Sequence, residues 1–138
     1  MCQSPDTRVL VVEDDARLRD LLIEMLAAYG LTQVTGVSSV RDATSAIRLC
    51  QPDVILLDLW LPDSRGCTTI HRLKAMTKWA AIVVLTGMPE TWLRQDCIDA
   101  GAYAFLRKGE VTLSTVIETL LMGAETYAIG RRILQHAS

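Results

Sequence analysis

The sequence predicts an open three-layer α/β domain, in which helices cover both faces of a five-stranded parallel sheet. Short apolar runs alternate five times with segments of helical periodicity along the 138-residue chain. Most of these runs are continuous rather than alternating, which is typical of strands buried on both faces. Strands separated by helices pair in parallel through right-handed crossovers. Half of the residues are hydrophobic, so one domain of this length can bury a sizeable core.

The first half of the chain shows strand, helix, strand, helix and strand in that order. The predicted bounds are 8–12, 16–29, 32–37, 39–50 and 53–58. The first helix carries apolar residues at helical spacing and stops at Gly30. Ser39 opens the second helix with Asp42 three residues later, which is a capping-box pattern, and Pro52 lies beyond its end. Both helices therefore have sequence signals at their ends.

The second half continues the alternation and ends in an unusually long helix. We predict a helix at 67–77, a strand at 80–85, a helix from Pro89 to 100, a strand at 103–107 and a last helix from 111 or 112. If that helix reaches Leu134, it spans roughly 35 Å, which exceeds what the fold requires. We divide the chain into a tail (1–6), the domain (7–128) and an extension of the last helix (129–138) that is compatible with a linker.

Composition and cysteine spacing argue against several classes of protein. The formal net charge is −2, without the basic excess of nucleic-acid binders. No apolar run approaches the roughly 18 residues of a membrane span, and the N-terminus lacks a signal-peptide pattern. We therefore expect a cytoplasmic protein without direct nucleic-acid or membrane contact. Four cysteines without a C-x-x-C pair argue against a zinc site or a disulfide framework and favour buried thiols: Cys2, Cys50, Cys67 and Cys97.

Polar side chains follow four of the five predicted strands. They are Glu13 and Asp14 after the first strand, Asp58 after the third, Thr86 after the fourth and Lys108 after the fifth. Sites in open α/β sheets form outside the carboxyl ends of the strands, so we expect these side chains to share one crevice. Asp15, the next acid after the first strand, is better explained as the cap of the following helix. The apolar run before Asp58 marks a central strand whose tip lies in the site.

Three carboxylates in one crevice repel one another unless a cation intervenes. Hard oxygen ligands of this kind suit Mg²⁺, and such a site suits phosphoryl transfer, in which catalysis is mostly positioning and charge neutralisation. Asp58 is the candidate nucleophile, which would form an acyl phosphate. Lys108 would neutralise phosphoryl oxygens, and the Thr86 hydroxyl would hydrogen-bond another of them.

Four stretches together resemble the receiver (REC) domain of two-component response regulators. They are VLVVEDD (9–15), VILLDLWLPDSRG (54–66), VVLTG (83–87) and GAYAFLRKG (101–109). They occur in the order and at the spacing of that family, and the resemblance covers residues 7 to about 128. It implies the flavodoxin-like (βα)5 fold with strand order 2-1-3-4-5. It also implies bacterial phosphorelay signalling.

The resemblance assigns a role to each polar residue. It implies that Asp58 accepts a phosphoryl group from a phosphohistidine, carried by a sensor histidine kinase or a histidine phosphotransfer protein. Asp14 would be a direct Mg²⁺ ligand and Glu13 its water-mediated companion. Asp58 and the backbone carbonyl of Trp60 would complete the protein's share of the ligands, and Mn²⁺ would substitute for Mg²⁺.

The resemblance also implies a conformational switch. Thr86 would be the switch hydroxyl and Phe105 the switch aromatic, in a two-state equilibrium that phosphorylation shifts. The state would control a downstream protein or a covalently linked output domain. The domain would catalyse its own phosphorylation and dephosphorylation, with no turnover of an external substrate expected.

Three positions depart from the family pattern or bear on the rate of dephosphorylation. Gly109 follows the lysine, where the family often has a proline after a cis bond. Trp60, two residues after Asp58, is large, and we expect its indole to cover the acyl phosphate. Met88, two residues after Thr86, lacks a group that could orient a water molecule. We therefore expect a long-lived phosphoryl group.

Other classes of protein fit the residues less well. A haloacid-dehalogenase-like phosphatase normally has an aspartate at the position of Trp60, and an FMN protein needs a hydroxyl-rich loop where this chain has EDDARL. The alternative left open is a receiver-like adaptor that binds its partner without phosphorylation. A homodimer through the last helices is a further expectation, because Tyr127, Ile129 and Ile133 lie beyond the expected contact with the sheet.

Overall fold

The predicted parallel sheet is present in the structure, a computed structural model that describes the backbone of residues 7–136 and the side chains of residues 7–134. Its five strands are β1 (Arg8–Val12), β2 (Gln33–Val37), β3 (Val54–Leu57), β6 (Ala81–Thr86) and β7 (Ala104–Arg107). A separate antiparallel hairpin consists of β4 (Trp60–Leu61) and β5 (Ser64–Arg65). The sheet order is β2-β1-β3-β6-β7, all parallel. The predicted order 2-1-3-4-5 is confirmed, since the hairpin only shifts the strand numbers.

Five helices alternate with these strands as the periodicity predicts. They are α1 (Ala16–Ala28), α2 (Val40–Leu49), α3 (Thr68–Lys74), α4 (Leu93–Asp99) and α5 (Leu113–His136). The Asp15 carboxylate caps α1 by accepting from the backbone N–H groups of Arg17 and Leu18. The Ser39 hydroxyl caps α2 by accepting from the N–H of Asp42 at 3.1 Å. Among the described residues, no helix is both long and apolar enough to cross a bilayer.

The core consists of two apolar layers, one on each face of the sheet. On one face α1 and α5 pack against alternate strand residues such as Val54 and Leu56. On the other face α2, α3 and α4 pack against the intervening residues, such as Ile55 and Leu57. All four residues of β3 are buried. The continuous apolar run before Asp58 therefore has the cause that the sequence predicts, a central strand covered on both sides.

The fourth helix begins later than predicted. The sequence places its start at Pro89, but α4 begins at Leu93. The Arg107 guanidinium donates to the carbonyl oxygens of Met88 and Glu90, so the preceding segment is a loop wrapped around this side chain. A contact from β7 thus overrides the local preference of proline for a first helical turn.

The cysteines also differ from the prediction at one position. Cys67 and Cys97 are free thiols, as expected. Cys50 is disulfide-bonded, so the expectation that all four cysteines are thiols is wrong. The spacing of isolated cysteines in a sequence does not reveal which of them the fold brings together.

Candidate functional site

Three carboxylates converge beyond the carboxyl ends of the neighbouring strands β1 and β3. Glu13 and Asp14 follow β1, and Asp58 follows β3. The Glu13 N–H donates to the carbonyl of Val37, and the Asp58 N–H donates to that of Val12, both at 3.0 Å, so strand pairing fixes both residues. One oxygen from each carboxylate lies within 4.8 Å of the others. Glu13 and Asp58 are only 2% and 5% exposed, whereas Asp14 faces solvent.

Lys108, which follows β7, supplies a cation to the two buried acids. Its Nζ lies 2.8 Å from Glu13 Oε1 and 3.0 Å from Asp58 Oδ2. Its backbone N–H donates to the carbonyl of Thr86 at 2.8 Å, which extends the β6–β7 pairing by one residue. Four sequence-predicted residues, Glu13, Asp14, Asp58 and Lys108, are therefore in one place.

Burial and mutual charge shift the titration of this cluster. Burial, and then the neighbouring Asp58 charge, raise the pKa of Glu13 from 4.5 to about 7, although the hydrogen bond from Lys108 acts in the opposite direction. Partial burial acts to lower the pKa of Lys108, but its bonds to Glu13 and Asp58 outweigh that effect and raise it. Lys108 therefore stays charged, and Glu13 holds its proton more tightly than an ordinary glutamate does.

A cleft of about 330 Å³ opens over Asp58. Asp14, Asp58 and Lys108 contribute its charged lining, and Trp60, Met88 and Pro89 contribute apolar lining. The Trp60 N–H donates to Asp58 Oδ1 at 3.1 Å, which orients the carboxylate. Both residues predicted to slow dephosphorylation, Trp60 and Met88, therefore border the predicted acceptor.

The hairpin β4–β5 fixes the segment that follows Asp58. Trp60 pairs with Arg65 across the hairpin, and the Arg65 guanidinium lies 4.1 Å from the centre of the Trp60 ring system. In the turn between the strands, the Asp63 carboxylate accepts from the N–H groups of Val40 and Arg41, both at 2.9 Å. Although burial acts the other way, these two N–H groups hold the pKa of Asp63 below its usual value.

Sequence reasoning missed the role of Asp63 as a cap of α2. The motif LPDS indicates a turn, but the partner N–H groups lie 22 and 23 residues earlier in the chain. Only the fold shows that this turn reaches the first turn of α2. The cap links the segment after Asp58 to a helix on the same side of the sheet.

The two predicted switch residues are both buried. Thr86 is fully buried, and its hydroxyl accepts from the N–H of Met88 at 3.3 Å rather than lining the cleft. Phe105 is 2% exposed, and the guanidinium carbons of Arg94 and Arg107 lie 4.9 and 5.1 Å from its ring centroid. Arg94 also donates to the Phe105 carbonyl at 2.9 Å, which connects α4 to β7.

Gly109 gives the loop after Lys108 a backbone conformation that proline cannot adopt. Its φ is +85°, and the described residues contain no cis peptide bond. Proline is restricted to φ near −65°, so the loop differs here from one built on a proline. The difference leaves the Lys108 ammonium in contact with both acids.

The chemistry of the donor set suits a small divalent cation. Three carboxylates face one ammonium group, which leaves an excess of two negative charges in the cluster once Glu13 has released its proton. Mg²⁺ prefers carboxylate and carbonyl oxygens and retains several of its own water ligands. A cluster with one exposed carboxylate and an open cleft meets both requirements.

Comparisons with known proteins agree with this geometry. A family model described as the response regulator receiver domain matches residues 9–120. The chain is 32% identical over 134 residues to a protein-glutamate methylesterase/protein-glutamine glutaminase of Treponema denticola. That alignment covers 92% of this chain and 36% of the relative. The chain is also 27% identical over 101 residues to the chemotaxis protein CheY of Bacillus subtilis, and this alignment covers 73% of the chain and 84% of CheY.

A solved structure with a similar fold is the signal receiver domain of a putative Luxo repressor protein from Vibrio parahaemolyticus. The TM-score is 0.84 at 23% identity, with 93% of this chain and 97% of that chain covered. This likeness concerns the fold alone. The chain spans about a third of the length of the methylesterases that it matches, between 31% and 36%.

Proposed function

Because the chain belongs to the receiver domain family of bacterial two-component response regulators, we propose that it accepts a phosphoryl group on Asp58 and thereby controls an output. The observation that supports this proposal is the position of the Asp58 carboxylate. It borders the open cleft, 3.0 Å from the Lys108 ammonium and within 4.8 Å of two further acids. A nucleophile, a cation and a set of oxygen ligands for a metal are thus together.

In the proposed reaction, a carboxylate oxygen of Asp58 attacks the phosphorus of a phosphohistidine on a histidine kinase or a histidine phosphotransfer protein. A P–O bond forms and the P–N bond breaks, with its electron pair kept by the departing imidazole. The Trp60 N–H holds one Asp58 oxygen and Lys108 the other, so the carboxylate is oriented before the donor arrives. Lys108 then pairs with the added negative charge.

Glu13, Asp14, Asp58 and the Trp60 carbonyl would hold Mg²⁺, or Mn²⁺ in its place. When bound, the ion supplies neutralisation of the phosphoryl oxygens during transfer. Glu13 is buried and paired with Lys108, so it acts mainly through charge, whereas the exposed Asp14 offers a direct ligand. This division matches the assignment of Glu13 to the water-mediated role.

Thr86 and Phe105 would transmit the change of state. The Thr86 hydroxyl accepts from the Met88 N–H, and its own O–H would donate to a phosphoryl oxygen when the side chain moves toward the cleft. The loop that carries Met88 is held by Arg107, which also contacts Phe105. Movement of the hydroxyl is thereby coupled to the surroundings of the aromatic ring. The state would be transmitted to a downstream protein or a covalently linked output domain.

We expect a long-lived acyl phosphate, because Trp60 and Met88 line the cleft without offering a group that activates water. The test is Trp60→Asn, followed by the loss of phosphate over time after the donor has been removed. A shorter lifetime in the variant supports the proposed shielding, and an unchanged lifetime refutes it. Trp92→Asn, at an exposed tryptophan outside the cleft lining, is the matched control.

We further propose a cytoplasmic protein whose partners are proteins rather than nucleic acid, which its net charge of −2 supports. We also propose that two copies of the chain associate through α5. Ile129, Ile133 and Leu134 are 47%, 62% and 55% exposed on this helix, and Tyr127 is half-buried, in contact with Lys74. Ile129 and Ile133 therefore remain as interface candidates, and the structure adds Leu134 to them.

The experiment that tests phosphorylation is intact mass spectrometry after incubation with acetyl phosphate, with and without Mg²⁺. We expect one added phosphoryl group that requires Mg²⁺ and is absent from Asp58→Asn. Asp99→Asn, at an exposed acid on α4, should be phosphorylated like the wild type. No adduct on the wild type under any condition would refute the proposal and favour the phosphorylation-independent adaptor.

A further inference from the structure

Two free thiols lie in contact on the helical layer formed by α2, α3 and α4. The Sγ atoms of Cys67 and Cys97 are 3.5 Å apart, although the residues are 30 positions apart in sequence. Cys67 immediately precedes α3, and Cys97 lies within α4. A disulfide has an S–S distance near 2.05 Å, so the sulfurs need to approach by roughly 1.5 Å. That movement is small compared with the mobility of side chains and short helices.

The two thiols differ in access to solvent. Cys67 is partly exposed, whereas Cys97 is completely buried among apolar residues. Burial, followed by the adjacent Cys67 thiol, raises the pKa of Cys97 to about 12. A reagent in solution therefore meets Cys67 first, and Cys97 is reached through Cys67.

The pair lies between the two segments that border the cleft. Cys67 follows Gly66, whose N–H donates to the Leu59 carbonyl and closes the hairpin segment after Asp58. Cys97 belongs to α4, which follows the cleft-lining residues Met88 and Pro89 in the sequence. Arg94 of the same helix donates a hydrogen bond to the Phe105 carbonyl. A bond between the sulfurs would join the acceptor segment to α4 covalently.

We propose that Cys67 and Cys97 form a redox modification site, which a low-molecular-weight disulfide of the glutathione class converts to a reversible intramolecular disulfide. The Cys67 thiolate attacks one sulfur of the small disulfide, whose S–S bond breaks, and a mixed disulfide forms as one small thiolate leaves. Cys97 then attacks the Cys67 sulfur and expels the second small thiolate. The two protein thiols are oxidised, the small disulfide is reduced to two thiols, and these take up the two protons.

The order of attack makes the proposal specific. In Cys97→Ser, the exposed Cys67 should keep the small thiol as a stable mixed disulfide, because no second thiol resolves it. In Cys67→Ser, the buried Cys97 should stay unmodified under the same conditions. The site does not depend on phosphorylation of Asp58, so a failure of one proposal leaves the other standing.

The test uses the full chain with Cys2→Ser and Cys50→Ser, so that only the pair remains. After oxidised glutathione, the intact mass should fall by two hydrogen atoms. Tryptic digestion without reductant should yield peptide 66–72 linked to peptide 95–107, and dithiothreitol should separate them. Two free thiols after prolonged incubation, or a Cys67→Ser variant that is modified as fast as Cys97→Ser, would overturn the proposal.

A stability measurement on the same protein gives a second result that needs no single-cysteine variant. The bond would close a loop of about 30 residues, for which the chain-entropy effect predicts a rise in Tm on the order of 5–10 °C. Dithiothreitol should reverse the rise. An unchanged or lower Tm in the cross-linked protein would show that the bond distorts the native packing, which would contradict the inference that the fold already places the two sulfurs for it.

Discussion

Replacement of Glu13 by glutamine should stabilise the metal-free protein, and the gain should depend on pH. The buried Glu13 carboxyl has its pKa raised from 4.5 to about 7. Between these values the unfolded chain has released this proton and the folded chain still holds it. Folding stability therefore falls as pH rises through this window, by about 1.4 kcal/mol for each pH unit.

The size of the effect follows from the width of the window. Below about pH 4.5, Glu13 is protonated in both states and contributes no penalty. At pH 8 the full penalty is present, about 3 kcal/mol, whereas at pH 5 it is below about 1 kcal/mol. Glu13→Gln removes the charge but leaves a single side-chain acceptor. At present the Lys108 ammonium contacts Oε1 and the Asp15 N–H donates to Oε2, so the amide oxygen can keep only one of these two bonds. The lost bond offsets part of the gain, by about 1 kcal/mol.

The assay is urea unfolding followed by circular dichroism, in buffer with a chelator, at about pH 5 and about pH 8. We expect Glu13→Gln to raise the free energy of unfolding by about 2 kcal/mol at the higher pH and by less than about 1 kcal/mol at the lower. Glu24→Gln, at an exposed position of α1, is the matched control and should change neither value. An equal gain at both pH values, or a loss at pH 8, would refute the reasoning.

Three further predictions concern the metal, the hairpin and the backbone. With about 10 mM Mg²⁺ and a dissociation constant near 1 mM, the wild type should gain about 1.4 kcal/mol in unfolding experiments. Asp14→Ala should lose most of this gain, and an equal gain would contradict the metal assignment. Asp63→Ala should cost about 1–2 kcal/mol in urea unfolding, because two N–H groups of α2 lose their acceptor. Asp63→Asn should recover part of the loss, and no loss in either variant would contradict the cap. Gly66→Ala should cost about 1 kcal/mol, since φ is +75° there, whereas Gly130→Ala inside α5 should stabilise by up to about 1 kcal/mol. Equal effects of the two alanines, measured by thermal unfolding, would contradict the backbone explanation.

The sequence was sufficient to predict the layer architecture and the residues that meet at the strand ends. Continuous apolar runs such as 54–57 identify buried strands, and the carboxyl ends of parallel strands share one edge. Asp58 and Lys108 could therefore be placed together although 50 residues separate them. The helix caps Asp15 and Ser39 could also be predicted from the sequence, because capping is a local interaction.

Other features depend on contacts that no local pattern records. The strands β4 and β5 have two residues each, too few for periodicity to show them. The start of α4 depends on Arg107, a residue of β7, which follows α4 in the sequence. Only in the folded sheet does the Arg107 side chain reach the loop that precedes α4. The contact between Cys67 and Cys97 and the cap from Asp63 arise in the same way, from the packing of α2, α3 and α4 on one face of the sheet.

The wide sequence separation of the site residues has a consequence for folding. Glu13 lies near the start of the domain and Lys108 near its end, and their contact at 2.8 Å exists only when the strands between them have paired. Contacts of such high contact order form late relative to local helices and turns. A nascent or partly unfolded chain therefore has the acceptor carboxylate but not its lysine. Only a domain that is nearly completely folded could then be phosphorylated. A misfolded copy would therefore transmit no signal, rather than a false one.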